Sequence, residues 1–230
     1  MIKNVFLDLD DTILDFQKGE RVALIKAFSD YGIPTDDVTV ERYIQINLQC
    51  WRALERGEMT KDEVLVGRFA KLFEELGIDK PADEVQNVYE RYLGLEHDFL
   101  PGGKELLDAF RDGGKYTLYM ATNGIPTVQY PRIRDSGVGE YFKEIFISQE
   151  IGYAKPNAKF FEECFKRIPD FKRKETIMVG DNLNSDIGGG KNAGILTCHY
   201  NFRGTEYMNI VPDFTITDLS ELIPILDSIK

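Results

Sequence analysis

The sequence predicts an α/β fold: a parallel sheet core with a four-helix cap inserted after the first strand. Three observations carry that expectation. Residues 4–14, NVFLDLDDTIL, run from apolar Val5–Leu7 straight into Asp8 and Asp10. Residues 17–97 then show helical periodicity with no strand pattern between the helices. After Pro101-Gly102-Gly103, short β-branched runs alternate with helical ones, the pattern of a parallel sheet covered on both faces.

The elements follow in order. Val22, Leu24, Ile25 and Phe28 form the first helical stripe, stopped by Gly32 and Pro34. Val40, Tyr43, Ile44, Leu48, Trp51 and Leu54 form a second, ending at Gly57. Thr60 and Glu63 have the spacing of a capping box and open a third helix, through Leu65, Phe69, Leu72, Phe73 and Leu76. Pro81 starts a fourth, carrying Val85, Val88, Tyr89 and Tyr92. Four amphipathic helices in a row predict a small bundle. Beyond it, strands are expected at 116–121, 144–148, 175–179, 195–200 and 213–217. Helices are expected around Leu106–Phe110, near 126–136, 157–168 and 185–193, and from Ser220. The division expected is a core of residues 1–15 and 98–230 and a cap of residues 16–97.

Composition narrows the function classes. With 230 residues and 43% apolar content, the chain can bury a substantial core. A formal net charge of −11 argues against a nucleic acid polymer or an anionic membrane as partner. An acidic protein that takes a phosphate must do so with a metal or a few local cations. Cys50, Cys164 and Cys198 are an odd set without zinc spacing, which points to buried thiols in a reducing cytoplasm. No basic-then-apolar leader and no membrane-length apolar run is visible.

The polar residues that matter fall where strands end, the place where open parallel sheets bind ligands. Asp8 and Asp10, two residues apart, point to the same side of an extended chain. Such neighbours repel unless a cation, a proton or a reaction holds them together. Thr122-Asn123-Gly124 follows the second strand, Lys155-Pro156 lies after the third, and Gly180-Asp181 with Asp186 follows the fourth. These carboxylates, with no histidine or cysteine beside them, make a hard oxygen site that suits Mg²⁺. His199, inside a strand, reads as a packing residue, and His97 has no assigned role. Gly188-Gly189-Gly190-Lys191-Asn192-Ala193 imitates a dinucleotide fingerprint but follows a loop, so its glycines read as a close helix–sheet approach.

In combination, DLDDT at 8–12, Thr122, Lys155 in AKP and GDNLNSD at 180–186 resemble the haloacid dehalogenase (HAD) superfamily over essentially the whole chain. The resemblance implies a Rossmann-like sheet and a helical cap. It implies that Asp8 is a nucleophile forming an aspartyl-phosphate and that Asp10 protonates the leaving oxygen and then activates water. Mg²⁺ would be held by Asp8, the Asp10 backbone carbonyl and Asp181, with Asp186 acting through water or by orienting Lys155. Thr122, the Asn123 amide and Lys155 would bind phosphate oxygens. Charge arithmetic fits this set. A carboxylate meeting a dianionic phosphate at 4 Å is repelled by roughly 8 kcal/mol at an effective dielectric near 20, so metal, lysine and hydroxyl are all needed. The superfamily's dehalogenases lack the second acid, so Asp10 speaks against dehalogenation.

A softer resemblance is to bacterial pyrimidine 5′-nucleotidases, through DLDDTILDF at 8–16, TNG at 122–124, ISQEIGYAKP at 147–156, Trp51 with Gly57, and Arg68-Phe69. It implies a small phosphorylated metabolite as partner, above all a nucleoside 5′-monophosphate. A sugar phosphomutase or sugar-phosphate phosphatase is the alternative, and a non-catalytic binding module a third reading. Trp51 reads first as a bundle core residue, and Asp15 and Phe16 as substrate contacts or as a hinge. A monomer or weak homo-oligomer is expected.

Overall fold

A computed structural model of the chain describes residues 1–206 and 209–229. Strand β1 (Asn4–Leu7) opens the fold, followed by helices α1 (Phe16–Asp30), α2 (Asp37–Glu55), α3 (Lys61–Leu76) and α4 (Ala82–Leu93). Then come α5 (Gly103–Gly113), β2 (Thr117–Thr122), α6 (Pro126–Ser136), β3 (Glu144–Ile147), α7 (Ser148–Ile151) and α8 (Ala158–Phe165). The chain closes with β4 (Thr176–Gly180), α9 (Gly189–Asn192), β5 (Leu196–Tyr200), β6 (Phe214–Ile216) and α10 (Leu222–Ser228). Among the described residues six strands form one parallel sheet in the order β3-β2-β1-β4-β5-β6. The expected α/β class with its inserted four-helix cap is what the chain adopts.

Alternation along β1 builds the two faces of the sheet. Val5 and Leu7 join Leu118, Met120, Ile177 and Val179 under α5 and α10. Phe6 points the other way, into Tyr119, Phe146, Met178 and the α8 phenylalanines. The cap has its own core, in which Phe28, Tyr43, Phe69 and Tyr89 are fully buried. Local chemistry sets the cap's helix ends. Asp15 and Asp36 cap α1 and α2, and Thr60 with Glu63 forms the expected capping box on α3. Helix α3 stops at Gly77, whose φ of 64° suits glycine.

The two chain crossings between core and cap run side by side. Leu14 and Phe99 form an antiparallel bridge, Leu100 N–H donates to Ile13 O at 2.9 Å, and Asp15 N–H donates to Asp98 O at 2.8 Å.

Two expectations on the later elements need correction. The helix expected near 185–193 begins as a π-helical turn over Leu183–Gly188, and only Gly189–Asn192 is α-helical. The Asn182 side chain starts it early by accepting from the N–H groups of Asn184 and Ser185. The glycines there do permit close approach: a Cβ on Gly190 would lie 2.7 Å from Thr197 Cγ2, and one on Gly189 2.9 Å from Phe161. The third strand is also shorter than 144–148. Ser148 leaves it to start α7, an element with no periodicity long enough to read in sequence.

Candidate active site

Strands β1, β2 and β4 are adjacent, so their carboxyl ends meet in one crevice. Asp8 follows β1 directly, its N–H donating to Val179 O of β4 at 3.0 Å. The chain then turns sharply. Asp11 takes a left-handed φ of 55°, a conformation aspartate tolerates, and its Oδ1 accepts from the N–H groups of Phe16 and Gln17. Thr12 is buried and its Oγ1 accepts from Asp181 N–H at 3.1 Å, tying the loops after β1 and β4 together.

Asp8, Asp181 and Asp186 each bring one carboxylate oxygen within 4.8 Å of the others, the grouping expected for a divalent cation. Lys155 is buried among them. Its Nζ donates to Asp8 Oδ1 at 2.8 Å, to Asp186 Oδ1 at 2.6 Å and to the Ala121 carbonyl. Asp186 Oδ2 accepts from Asn182 N–H at 3.0 Å, so both its oxygens are engaged, Oδ1 by Lys155. Asp186 also needs Gly180: a Cβ there would lie 2.2 Å from Asp186 Oδ2.

Charge explains why the cluster wants a cation. Arg203 pairs with Asp11 at 2.6 Å and with Asp181 at 3.3 Å. With all four carboxylates ionised, the two cationic groups that face them among the described residues, Lys155 and Arg203, leave two negative charges, the complement of a hard divalent ion. Burial, with Asp186 and Asp10 nearby, pushes the Asp8 carboxyl up to about 8 against the pull of Lys155. Asp181 is raised well above the usual carboxylate range by burial and by Asp186, Asp8 and Asp11. Burial alone would lower the Lys155 ammonium, but Asp186 and Asp8 outweigh it and hold the ammonium charged.

Asp10 stands apart from this cluster. Its Oδ1 is paired with Nη1 of buried Arg132, and its Oδ2 accepts from Gln129 Nε2 at 2.8 Å. The metal reading of Asp10 thus concerns only its backbone carbonyl, since its carboxylate is turned to α6. Thr122, the last residue of β2, is buried and accepts from Gln129 Nε2 at 2.8 Å. Asn123 follows Thr122 directly. Its side-chain amide is committed to Lys155, donating to Lys155 O at 2.8 Å and accepting from Lys155 N–H at 2.9 Å. An oxyanion contact from Asn123 would have to come from its main chain.

A cavity of about 740 Å³ opens between cap and core and reaches the site at Lys155 and Asn123; Trp51, Glu55, Lys61 and Tyr153 also line it, and the site aspartates do not. Trp51 is half-buried, packs on the cap core and faces this cavity, with Lys61 Nζ 5.8 Å from its ring centre. Lys61 crosses to the core and donates to the carbonyls of Asn123 at 2.9 Å and Gly124 at 3.1 Å. Burial lowers its pKa to about 8. Glu55 makes a second crossing, accepting from Asn184 Nδ2 at 2.7 Å. Arg68 lies inside the cap, donating to Asn47 at 2.7 Å and Gln86 at 2.8 Å. Asp15 caps α1, and the Phe16 ring lies 5.8 Å from the Arg132 guanidinium. His199 does more than pack: its Nε2 bonds the Asp181 carbonyl at 2.8 Å.

Sequence reasoning missed Asp11, Gln129, Arg132, Arg203 and the crossings by Lys61 and Glu55. The Gln129/Arg132 pair, three residues apart, sits one helical turn into the helix after TNG, a spacing that puts both on one face without saying which way that face turns. Arg203 lies in a loop 22 residues from Asp181, with no local pattern to mark it.

Known proteins resemble the chain closely. A family model described as haloacid dehalogenase-like hydrolase matches residues 2–194. A solved structure of the HAD-hydrolase YfnB from Bacillus subtilis, described as bound to magnesium and revealing interdomain movement, superposes with a TM-score of 0.93 at 38% identity. That match covers 98% of this chain and 99% of that one. Pyrimidine 5′-nucleotidase PynA of Streptococcus pneumoniae is 35% identical over 98% of this chain and 95% of its own length. Pyrimidine 5′-nucleotidase YjjG of Escherichia coli is 31% identical over 96% of both.

Proposed function

The chain belongs to the haloacid dehalogenase-like hydrolases, and on that premise we propose that it is a Mg²⁺-dependent phosphomonoesterase acting on nucleoside 5′-monophosphates through an aspartyl-phosphate. The observation that carries this reading is the Asp8 carboxylate beside Lys155 and next to Asp181, in a cluster two positive charges short of neutrality. Mg²⁺, bound by Asp8, Asp181 and the Asp10 backbone carbonyl, supplies positive charge to the phosphate oxygens when present.

The side chains divide the rest of the chemistry. Asp8 attacks phosphorus and becomes the acyl phosphate as the ester oxygen leaves. Asp10 gives that oxygen a proton, then takes one from the water that attacks the phosphorus, releasing phosphate and restoring Asp8. Lys155 and the Thr122 hydroxyl stabilise the charge on the non-bridging oxygens. Asp186 and the Asn123 amide hold Lys155 in place from its two ends. The cap, residues 16–97, covers the leaving group, with Trp51 offering an aromatic face to a base and Lys61 a cation near it. The names of PynA and YjjG favour pyrimidine nucleotides among the monophosphates.

The test is a panel of nucleoside monophosphates and sugar phosphates assayed with and without Mg²⁺, together with Asp8→Asn. Metal-dependent phosphate release that prefers UMP, dUMP and dTMP and vanishes in Asp8→Asn is expected. Equal rates on sugar phosphates would remove the nucleotidase assignment, and release surviving in Asp8→Asn would remove the nucleophile.

A further inference from the structure

Arg132 is fully buried, yet it is not a member of the three-carboxylate cluster. Its Nη1 pairs with Asp10 Oδ1 and donates to Gln129 Oε1 at 2.8 Å, and its Nε donates to the Glu96 carbonyl at 2.8 Å, on the second crossing to the cap. Gln129 completes the arrangement, its Nε2 lying 2.8 Å from both Asp10 Oδ2 and Thr122 Oγ1. Both Asp10 oxygens are therefore gripped, one by a guanidinium and one by an amide that also touches Thr122. Each oxygen accepts one N–H and keeps a second lone-pair direction, through which a proton can pass.

Stability alone is a poor reason for this grouping. A buried guanidinium costs desolvation that apolar side chains of similar size avoid. Here the cost is not fully recovered, because Arg132 Nη2 is buried without a hydrogen-bond partner among the described residues. The backbone also makes room for it: a Cβ on Gly124 would lie 2.3 Å from Gln129 Nε2, so the glycine of TNG is what lets Gln129 reach Thr122 and Asp10.

We propose that Arg132, with Gln129, is a positioning residue that fixes the Asp10 carboxyl group for proton transfer to the leaving oxygen. This rests on the phosphomonoesterase reading. In the step concerned, the Asp8–phosphorus bond forms, the phosphorus–ester oxygen bond breaks, and the Asp10 proton moves to that oxygen to release an alcohol. An alkyl ester needs that proton, whereas p-nitrophenolate leaves without it.

The test compares kcat/KM, which reports steps up to formation of the phosphoenzyme, for UMP and p-nitrophenyl phosphate with Mg²⁺ present. Wild type, Arg132→Met, Arg132→Lys and Gln129→Leu are measured, each checked for folding by circular dichroism. Arg132→Met is expected to lose about 100-fold or more on UMP but less than about 5-fold on p-nitrophenyl phosphate. Arg132→Lys should recover part of the UMP loss, and Gln129→Leu should show the same skew to a smaller degree. Should Arg132→Met fail to fold, the skew is read from the other two variants. Equal losses on both substrates, or no loss on either in folded variants, would overturn the positioning role. Failure of the wild type to hydrolyse either ester would instead overturn the phosphomonoesterase reading itself.

Discussion

Lys155 and Asp186 are joined by a 2.6 Å ion pair, and both side chains are almost completely buried. The same ammonium lies 2.8 Å from Asp8. One cation thus serves two buried carboxylates, and its removal leaves both without counter-charge. Lys155→Met is expected to destabilise the metal-free protein by about 3–5 kcal/mol, read by urea unfolding. It should also lower phosphatase activity by at least about 100-fold. A variant as stable as wild type would mean that the two acids are compensated by something else.

Mg²⁺ should stabilise the protein because it binds the folded cluster and not the unfolded chain. At 100 times its Kd it adds about 2.7 kcal/mol, which for a chain of this size raises Tm by about 5–10 °C. Scanning calorimetry with Mg²⁺ and then with excess chelator checks this. Asp181→Asn removes one of the three converging carboxylates and should abolish most of the shift.

The cap carries a pH-dependent element of its own. Burial raises the pKa of Glu20 to about 7, against the pull of Arg68 and the hydrogen bond from Asn47. Between its ordinary value of 4.5 and about 7, the folded protein holds a proton that the unfolded chain has released. This group's contribution is therefore fully present below pH 4.5 and declines as pH rises to about 7, a difference of a few kcal/mol at most. Glu20→Gln should flatten that part of the stability profile, measured by urea unfolding at pH 5 and pH 8. An unchanged slope in the variant would assign the dependence to other groups.

Lys61 links cap and core through the Asn123 and Gly124 carbonyls. Lys61→Met is expected to raise KM about tenfold while changing kcat less than about threefold, because it removes an interaction that holds the closed form and takes no part in the bond changes. With a pKa near 8, the ammonium discharges in the alkaline range, so wild-type KM should climb above pH 8. The variant should show no such climb.

Much of this site was legible because its residues sit at strand ends. A strand exposes its terminal polar side chains at one edge of the sheet, so Asp8, Thr122 and Asp181 could be placed from the strand pattern, with Lys155 in the loop that follows β3 and α7. Their grouping with Asp186 follows from the sheet order, with β1 lying between β2 and β4. What stayed hidden depends on helix rotation or loop path. Whether Gln129 and Arg132 face Asp10 or solvent is set by how α6 packs, and three-residue spacing alone does not fix that. The approach of Arg203 to Asp181 depends on a loop with no periodicity. Asn123 was read by its amide chemistry, but its partner is the Lys155 backbone, a main-chain contact that no side-chain pattern announces.

The pairing of Leu14 with Phe99 has a mechanical result. Two strands of chain stitched together behave as a strap that bends across its width far more easily than it twists or slides. The helical part is thereby held to one line of approach to the sheet, the one on which Lys61 meets the Asn123 and Gly124 carbonyls and Glu55 meets Asn184. Register between the two halves is built into the tether.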